Sequence, residues 1–133
     1  MALLARLAAP VIGSSDTIPA SMLEQFPELA AVRLRRGGLP ARIGGWCLGR
    51  AWVDGITVGR FVWLSPTAHA SAELLLHELR HVHQFQAFSA FPLRYWWESL
   101  RRGYVHNRFE VDARRFAAER LTGRQPPLPQ LED

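Results

Sequence analysis

The sequence predicts an α+β fold, in which a small antiparallel or mixed sheet of about three strands accompanies several helices. Three stretches carry this prediction: the alternating "AAVRLRRGG", the β-branched and aromatic "RAWVDGITVGRFVWL", and a later run of about 20 residues without glycine or proline. A chain of 133 residues with 48% hydrophobic content is long enough for one compact domain. We therefore expect an N-terminal segment at 1–19, a single domain at 20–123 and a flexible proline-rich tail at 124–133.

The N-terminal half contains a short helix followed by strands. "DTIPASMLEQFPEL" offers a capping residue and a helix that restarts at Pro27. In "AAVRLRRGG", Val32 and Leu34 alternate with arginines and predict a first strand closed by two glycines. "LPARIGGWCLG" fits a loop with a helical turn. Residues 50–64 predict two or three short antiparallel strands, with turn signals at "DG" and "GR".

The C-terminal half is predicted to be helical. "SPTAHASAELLLHELRHVHQFQAF" begins with turn-forming residues and continues as one long helix, with a core stripe of Leu75, Leu79 and Val82. Pro92 starts a second helix, which Gly103 ends. "VHNRFEVDARRFAAERLTG" predicts a last helix that ends at Gly123.

Composition restricts the possible settings and partners. Cys47 is the only cysteine, and the first residues are too short and too interrupted for a secretory signal, so we expect a cytoplasmic protein. No apolar run approaches the roughly 20 residues that span a bilayer, and we expect no membrane partner. The basic residues are all arginine, in small groups that we interpret as solvated faces. Contact of these groups with nucleic acid is the alternative, and a steep salt dependence would distinguish it.

The segment "HELRH" contains residues that could bind a metal. Side chains four positions apart lie on one face of a helix, so His77 and His81 can direct their imidazoles at one zinc ion. Glu78 is rotated by about 100° from His77, which suits a general base acting on water better than a ligand. His83 points to roughly the opposite side and is interpreted as a structural histidine. The motif therefore predicts two zinc ligands and a base within five residues.

Catalytic zinc usually has three protein ligands, so a third should come from downstream. Glu110 is the first choice because it shares a helix face with Asn107, Ala113, Ala117 and Leu121, a small-residue surface that suits close approach by another helix. His106 is the second choice, and Glu98, between bulky neighbours, is the weakest and is expected on a helix exterior. Tyr104 or His106 could donate a hydrogen bond to a developing oxyanion. Tyr95 is more easily explained by packing.

These residues carry a resemblance to a known family. "HELRH" followed by "NRFEVDA", with 28 residues between His81 and Glu110, resembles the gluzincin metallopeptidases, in which a glutamate on a later helix completes the zinc site. The E-x-x-A portion from Glu110 looks like the membrane-linked prenyl-protein and heat-shock peptidase branch. That branch commonly has aspartate where this chain has Arg114, and Asp112 faces away from Glu110 on the helix, so it is not expected to substitute for that aspartate.

A second resemblance covers residues 26–84. "FPELAAVRLRRGG", "ITVGRFVWLSP" and "ELLLHELRHVHQ" are similar in order and spacing to the small bacterial metallopeptidase domain associated with extracellular contractile injection systems. Together the two resemblances imply a minimal zincin-like scaffold that packs its sheet on the "HELRH" helix. They also imply one zinc ion per chain, held by His77, His81 and Glu110.

The expected function is hydrolysis of peptide bonds by a zinc-activated water, with Glu78 as the general base. The strand "RFVWL" could form a sheet edge that pairs with an extended peptide substrate, or could simply end the sheet. Two other functions stay open: a noncatalytic zinc-binding scaffold or assembly module, and a protease-like domain acting on protein bound to nucleic acid.

Overall fold

The computed structural model describes residues 3–4, 11–38, 40 and 54–129, and it confirms an α+β protein. The chain divides into two compact units, at 1–70 and 71–133. The predicted loop in "LPARIGGWCLG" and the first residues of the predicted strands at 50–53 lie outside the described residues. Within the described part of the chain, no helix is both long and apolar enough to cross a membrane.

The first unit contains a four-stranded mixed sheet. Its elements are β1 (Ser14–Ser15), α1 (Ala20–Gln25), a 3-10 helix (Pro27–Ala31), β2 (Arg33–Arg36), β3 (Gly55–Val58) and β4 (Phe61–Leu64). The strand order is β1-β2-β4-β3, and β2 pairs in parallel with β4 while the other two pairings are antiparallel. The short helix and its restart at Pro27 are as predicted. The two serines of β1 show no apolar alternation, so the sequence does not predict that strand.

At the start of β2, buried and exposed side chains alternate as predicted. Val32 and Leu34 are buried and Arg33 is exposed. Gly59 has a φ of 63°, which favours glycine at the first position of a two-residue hairpin turn between β3 and β4. The expected turn at Asp54-Gly55 is absent, because Gly55 already pairs with Leu64.

The prediction that "RFVWL" could be a sheet edge is wrong. β4 lies between β2 and β3 and pairs with both, so its backbone groups have partners on each side. In the sheet as described, the outer strands are β1 and β3. Addition of a substrate strand to β4 is therefore blocked by its own neighbours.

The second unit contains α2 (Ala72–Ala87), α3 (Phe91–His106) and α4 (Arg108–Leu121). The Ser71 hydroxyl caps α2 by accepting the Leu74 amide hydrogen at 3.1 Å. The predicted stripe of Leu75, Leu79 and Val82 is completely buried. As predicted, Gly103 interrupts α3, because its φ of 74° and ψ of 168° are not helical.

The last helix ends as predicted and packs on α2. Gly123 has a φ of 86°, and the amide of Arg124 bonds back to the Glu119 carbonyl, which satisfies carbonyls at the end of α4. Ala113 and Ala117 are buried, which fits the small-residue surface predicted for helix contact. Leu121, at the end of that surface, is 45% exposed.

Candidate metal centre

Three side chains that could bind a metal converge in the second unit. His77 and His81 come from α2 and Glu110 from the first turn of α4, and one ligand atom from each lies within 4.8 Å of the others. His77 Nε2 lies 3.0 Å from Glu110 Oε2, and His81 Nε2 lies 3.2 Å from Glu110 Oε1. The two imidazole Nε2 atoms are 3.2 Å apart. The structure thus brings together the three residues that the sequence predicts as ligands.

The junction between α3 and α4 positions Glu110. Asn107 is completely buried, and its Oδ1 accepts the Phe109 amide hydrogen at 2.9 Å, which caps α4. Its Nδ2 donates to the Tyr95 carbonyl at 3.1 Å and to the Ser99 hydroxyl at 2.9 Å. Because one side chain joins the two helices, the first turn of α4 is held against α3 and Glu110 faces α2.

The spacing of the donor atoms fits a metal ion. Tetrahedral zinc with bonds of about 2.0–2.2 Å has ligand atoms about 3.3–3.6 Å apart. The contacts of His77 and His81 with each other and with the Glu110 carboxylate are only a few tenths of an ångström shorter, although the two imidazoles face different oxygens of Glu110. Glu110 Oε2 is buried, and no described residue directs a hydrogen bond at it despite its short contact with His77. A bound cation would give this oxygen the directed partner that it lacks. The group could therefore hold a metal ion.

Charges within the cluster shift two pKa values in opposite directions. Burial opposes charging of His81, but the hydrogen bond and charge of Glu110 outweigh it and raise the pKa of His81 to about 9. Burial likewise opposes ionisation of Glu110, yet the close contacts with His77 and His81 hold the pKa of Glu110 well below its ordinary value. In the metal-free cluster an anionic Glu110 is consequently paired with a protonated imidazole.

Tyr95 packs against Phe91 and Phe109, in keeping with its interpretation as a packing residue, and its hydroxyl also reaches the site. Its hydroxyl donates a hydrogen bond to Glu110 Oε1 at 2.6 Å. Burial, with the Glu110 carboxylate, raises the pKa of Tyr95 far above its ordinary value, so the hydroxyl stays protonated. Helical spacing could have predicted that Tyr95 faces inward, because it lies one turn from Phe91 on the same side of α3. The packing of α4 determines that its hydroxyl meets Glu110.

The two predicted oxyanion donors differ in position. Burial, followed by the Glu110 and Glu78 carboxylates, raises the pKa of Tyr104 to about 12, so Tyr104 lies close enough to feel both charges. His106 is solvent-exposed and is not one of the converging residues. Glu78 is buried, and its charge acts on His81, Tyr95 and Tyr104, which places it beside the cluster.

A buried polar chain extends from the outer side of His81. His81 Nδ1 lies 2.8 Å from Gln84 Oε1, and Gln84 Nε2 donates to Asp112 Oδ2 at 2.8 Å. Asp112 in turn accepts two hydrogen bonds from the Arg80 guanidinium, at 2.8 and 3.2 Å. The contact with Gln84 fixes the orientation of the His81 ring and leaves its Nε2 directed at Glu110.

The polar chain gives Asp112 a role that the sequence did not predict, because it supports His81 indirectly through Gln84. The sequence analysis did not identify Gln84 or Arg80 as site residues, because each lies on α2 at a position whose partner comes from α4.

The expectation that Glu98 lies on a helix exterior is wrong. Glu98 is 3% exposed and forms ion pairs with Arg108 at 2.8 Å and Arg102 at 3.2 Å. It also accepts the Arg108 amide hydrogen at the start of α4. The Glu98 carboxylate is therefore paired with these arginines.

His83 packs edge-on against Phe116, in keeping with its interpretation as a structural histidine.

The paired charges of His81 and Glu110 predict a pH dependence of stability in the metal-free protein. The folded pKa of His81, about 9, exceeds the unfolded value of 6.5, and the folded pKa of Glu110 is lowered from 4.5, so the pair contributes fully between pH 4.5 and 6.5. That contribution is lost as the pH rises through 9. Urea denaturation between pH 6 and 9.5 should show the loss, and Glu110→Gln should flatten it. A wild-type free energy of unfolding that rises over this range would contradict the assignment.

Comparison of the chain with protein-family models, curated proteins and solved structures found no match.

Proposed function

We propose that the protein is a zinc-dependent peptidase, in which His77, His81 and Glu110 hold one zinc ion and Glu78 is the general base. The observation that carries the proposal is the convergence of two imidazoles and a buried carboxylate at separations close to those of zinc ligands. Nitrogen and oxygen donors in this number are typical of catalytic zinc sites, which keep a further position open. The single cysteine makes a reducing cytoplasmic setting part of the same proposal.

Zinc, when bound, acts as a Lewis acid that polarises a peptide carbonyl and makes a water molecule more acidic. The Glu78 carboxylate takes a proton from the attacking water as the new bond from oxygen to the carbonyl carbon forms. Glu78 then delivers this proton to the amide nitrogen as the carbon–nitrogen bond breaks. The products are a carboxylic acid and an amine, and Glu78 returns to its starting state.

Two tyrosines have separate parts in the proposal. Tyr95 holds Glu110 through its 2.6 Å hydrogen bond and so orients the third ligand. Tyr104 is 45% exposed and stays protonated at neutral pH, because its pKa is raised to about 12. It can therefore donate a hydrogen bond to the oxyanion of a bound substrate. His106 is the alternative donor.

The experiment that tests the proposal is metal analysis of the purified protein by mass spectrometry, before and after zinc is added back. We expect about one zinc per chain in the wild type and in His106→Ala, and a large loss of zinc in Glu110→Ala. His106 is the matched control because it is a potential ligand on the same stretch of chain but lies outside the cluster. A wild type that binds no zinc would leave the cluster as a buried ion pair and would remove the peptidase proposal.

A further inference from the structure

The outer surface of α3 carries a continuous exposed apolar stripe. Leu93, Trp96, Trp97 and Leu100 are 69%, 60%, 55% and 60% exposed, respectively. Their spacing of three and four residues places them on one face of the helix. We call these four residues the α3 outer face. Single exposed apolar residues are common on proteins, but four large ones on one helix face mark an interaction surface.

The α3 outer face is largely exposed, and the ring contacts and hydrogen bonds that hold α3 in its unit lie on the other side of the helix. The opposite side of the helix makes those contacts: Phe91 packs against Phe109 with ring centroids 4.9 Å apart, and Tyr95 bonds to Glu110. Ser99 accepts a hydrogen bond from Asn107. The helix is therefore held in place by its inner side, and the two tryptophans would remain exposed to water unless something covers them.

The exposed charges on α3 are all positive. Arg94 and Arg101 are exposed and lie on the same flank of the α3 outer face, seven residues apart. The Arg101 guanidinium lies over the Trp97 ring, 5.9 Å from its centroid. Glu98, the only acidic residue in Phe91–His106, is buried and paired with Arg102 and Arg108. The exposed surface of the helix thus combines apolar and cationic groups with no exposed acid.

We propose that the α3 outer face binds the surface of an anionic lipid bilayer. Tryptophan and leucine would enter the boundary between headgroups and acyl chains, and Arg94 and Arg101 would contact lipid phosphates. Arginine flanking an apolar stripe is the arrangement expected of a helix that lies in the interface plane. This proposal departs from the expectation of no membrane partner, which rested on the lack of an apolar run long enough to span a bilayer. The proposal is independent of the peptidase proposal, because it uses none of the metal-site residues.

The test is cosedimentation of the full chain with vesicles of phosphatidylcholine alone or mixed with phosphatidylserine, together with tryptophan fluorescence. We expect binding and a blue shift of the emission with the mixed vesicles only, weakened by added salt. Trp96→Ala/Trp97→Ala and Arg94→Gln/Arg101→Gln should each weaken binding by roughly tenfold or more.

Matched control variants come from the exposed surface of α4. The double variant Val111→Ala/Leu121→Ala removes exposed apolar groups. The double variant Arg114→Gln/Arg115→Gln removes exposed arginines. Both double variants should bind vesicles like the wild type. Thermal unfolding followed by circular dichroism checks that every variant is folded. The proposal is overturned if mixed vesicles do not bind at low salt, or if the α3 and α4 variants behave alike. It is also overturned if the α3 outer face drives self-association without vesicle binding, since a second copy would then be its partner.

Discussion

Under the peptidase proposal, Glu78→Gln is expected to bind zinc like the wild type and to hydrolyse peptides roughly 100- to 10,000-fold more slowly. Glutamine keeps the shape of glutamate but cannot accept a proton from water, and it cannot return one to the leaving amine. Because Glu78 is not one of the three converging donors, its replacement should leave the zinc ligands in place. The effect should therefore appear in kcat with little change in zinc content.

The measurement is kcat/KM on a mixture of quenched fluorescent peptides, with zinc content determined on the same preparations. Glu73→Gln is the matched control, because Glu73 is an exposed glutamate in the first turn of the same helix. It should hydrolyse peptides like the wild type. Equal activity of Glu78→Gln and Glu73→Gln would exclude Glu78 as the base. Zinc binding without any hydrolysis in the wild type would favour the noncatalytic scaffold instead.

Arg80→Met is expected to lower the free energy of unfolding by about 3–5 kcal/mol. The Arg80 side chain is 4% exposed and makes two hydrogen bonds to Asp112, so its removal leaves a buried carboxylate with only the exposed Arg115 as a counter-charge. Arg80 also donates to the Pro127 carbonyl at 2.9 Å, which attaches part of the proline-rich tail to α2. Loss of the guanidinium removes both contacts.

Urea denaturation measures this effect, and Arg115→Met supplies the matched control. The Arg115 side chain is 66% exposed and lies 3.7 Å from the same Asp112, so its removal should cost less than about 1 kcal/mol. The double variant Arg80→Met/Asp112→Leu should regain part of the lost stability, because no unpaired charge is then buried. Equal destabilisation by Arg80→Met and Arg115→Met would show that burial of the pair is unimportant.

Much of the helical organisation could be predicted because its signals are local. Ser71 caps α2, Gly103 interrupts α3 and Gly123 ends α4, and each of these residues acts within one or two turns of its own helix. The spacing of His77 and His81 is local in the same sense, since any α-helix through these positions directs both imidazoles to one side.

The predictions that were wrong concern residues whose neighbours come from a distant part of the chain. The position of "RFVWL" depends on which strands pair with it, and β2 lies some 25 residues upstream. Glu98 has bulky neighbours in sequence, yet it is buried because Arg108 approaches it from the next helix. Neither strand order nor such ion pairing is encoded in the periodicity of one segment.

By itself the sequence determined the helices, the burial pattern of α2 and the pairing of His77 with His81 on one face, because backbone hydrogen bonding and side-chain periodicity act over a few residues. Only the tertiary structure decided that Glu110 meets those imidazoles, that Tyr95 holds Glu110, and that Gln84 connects His81 to Asp112. Those contacts depend on how α3 and α4 pack on α2, and packing is set by the shapes and charges of residues far apart in the chain.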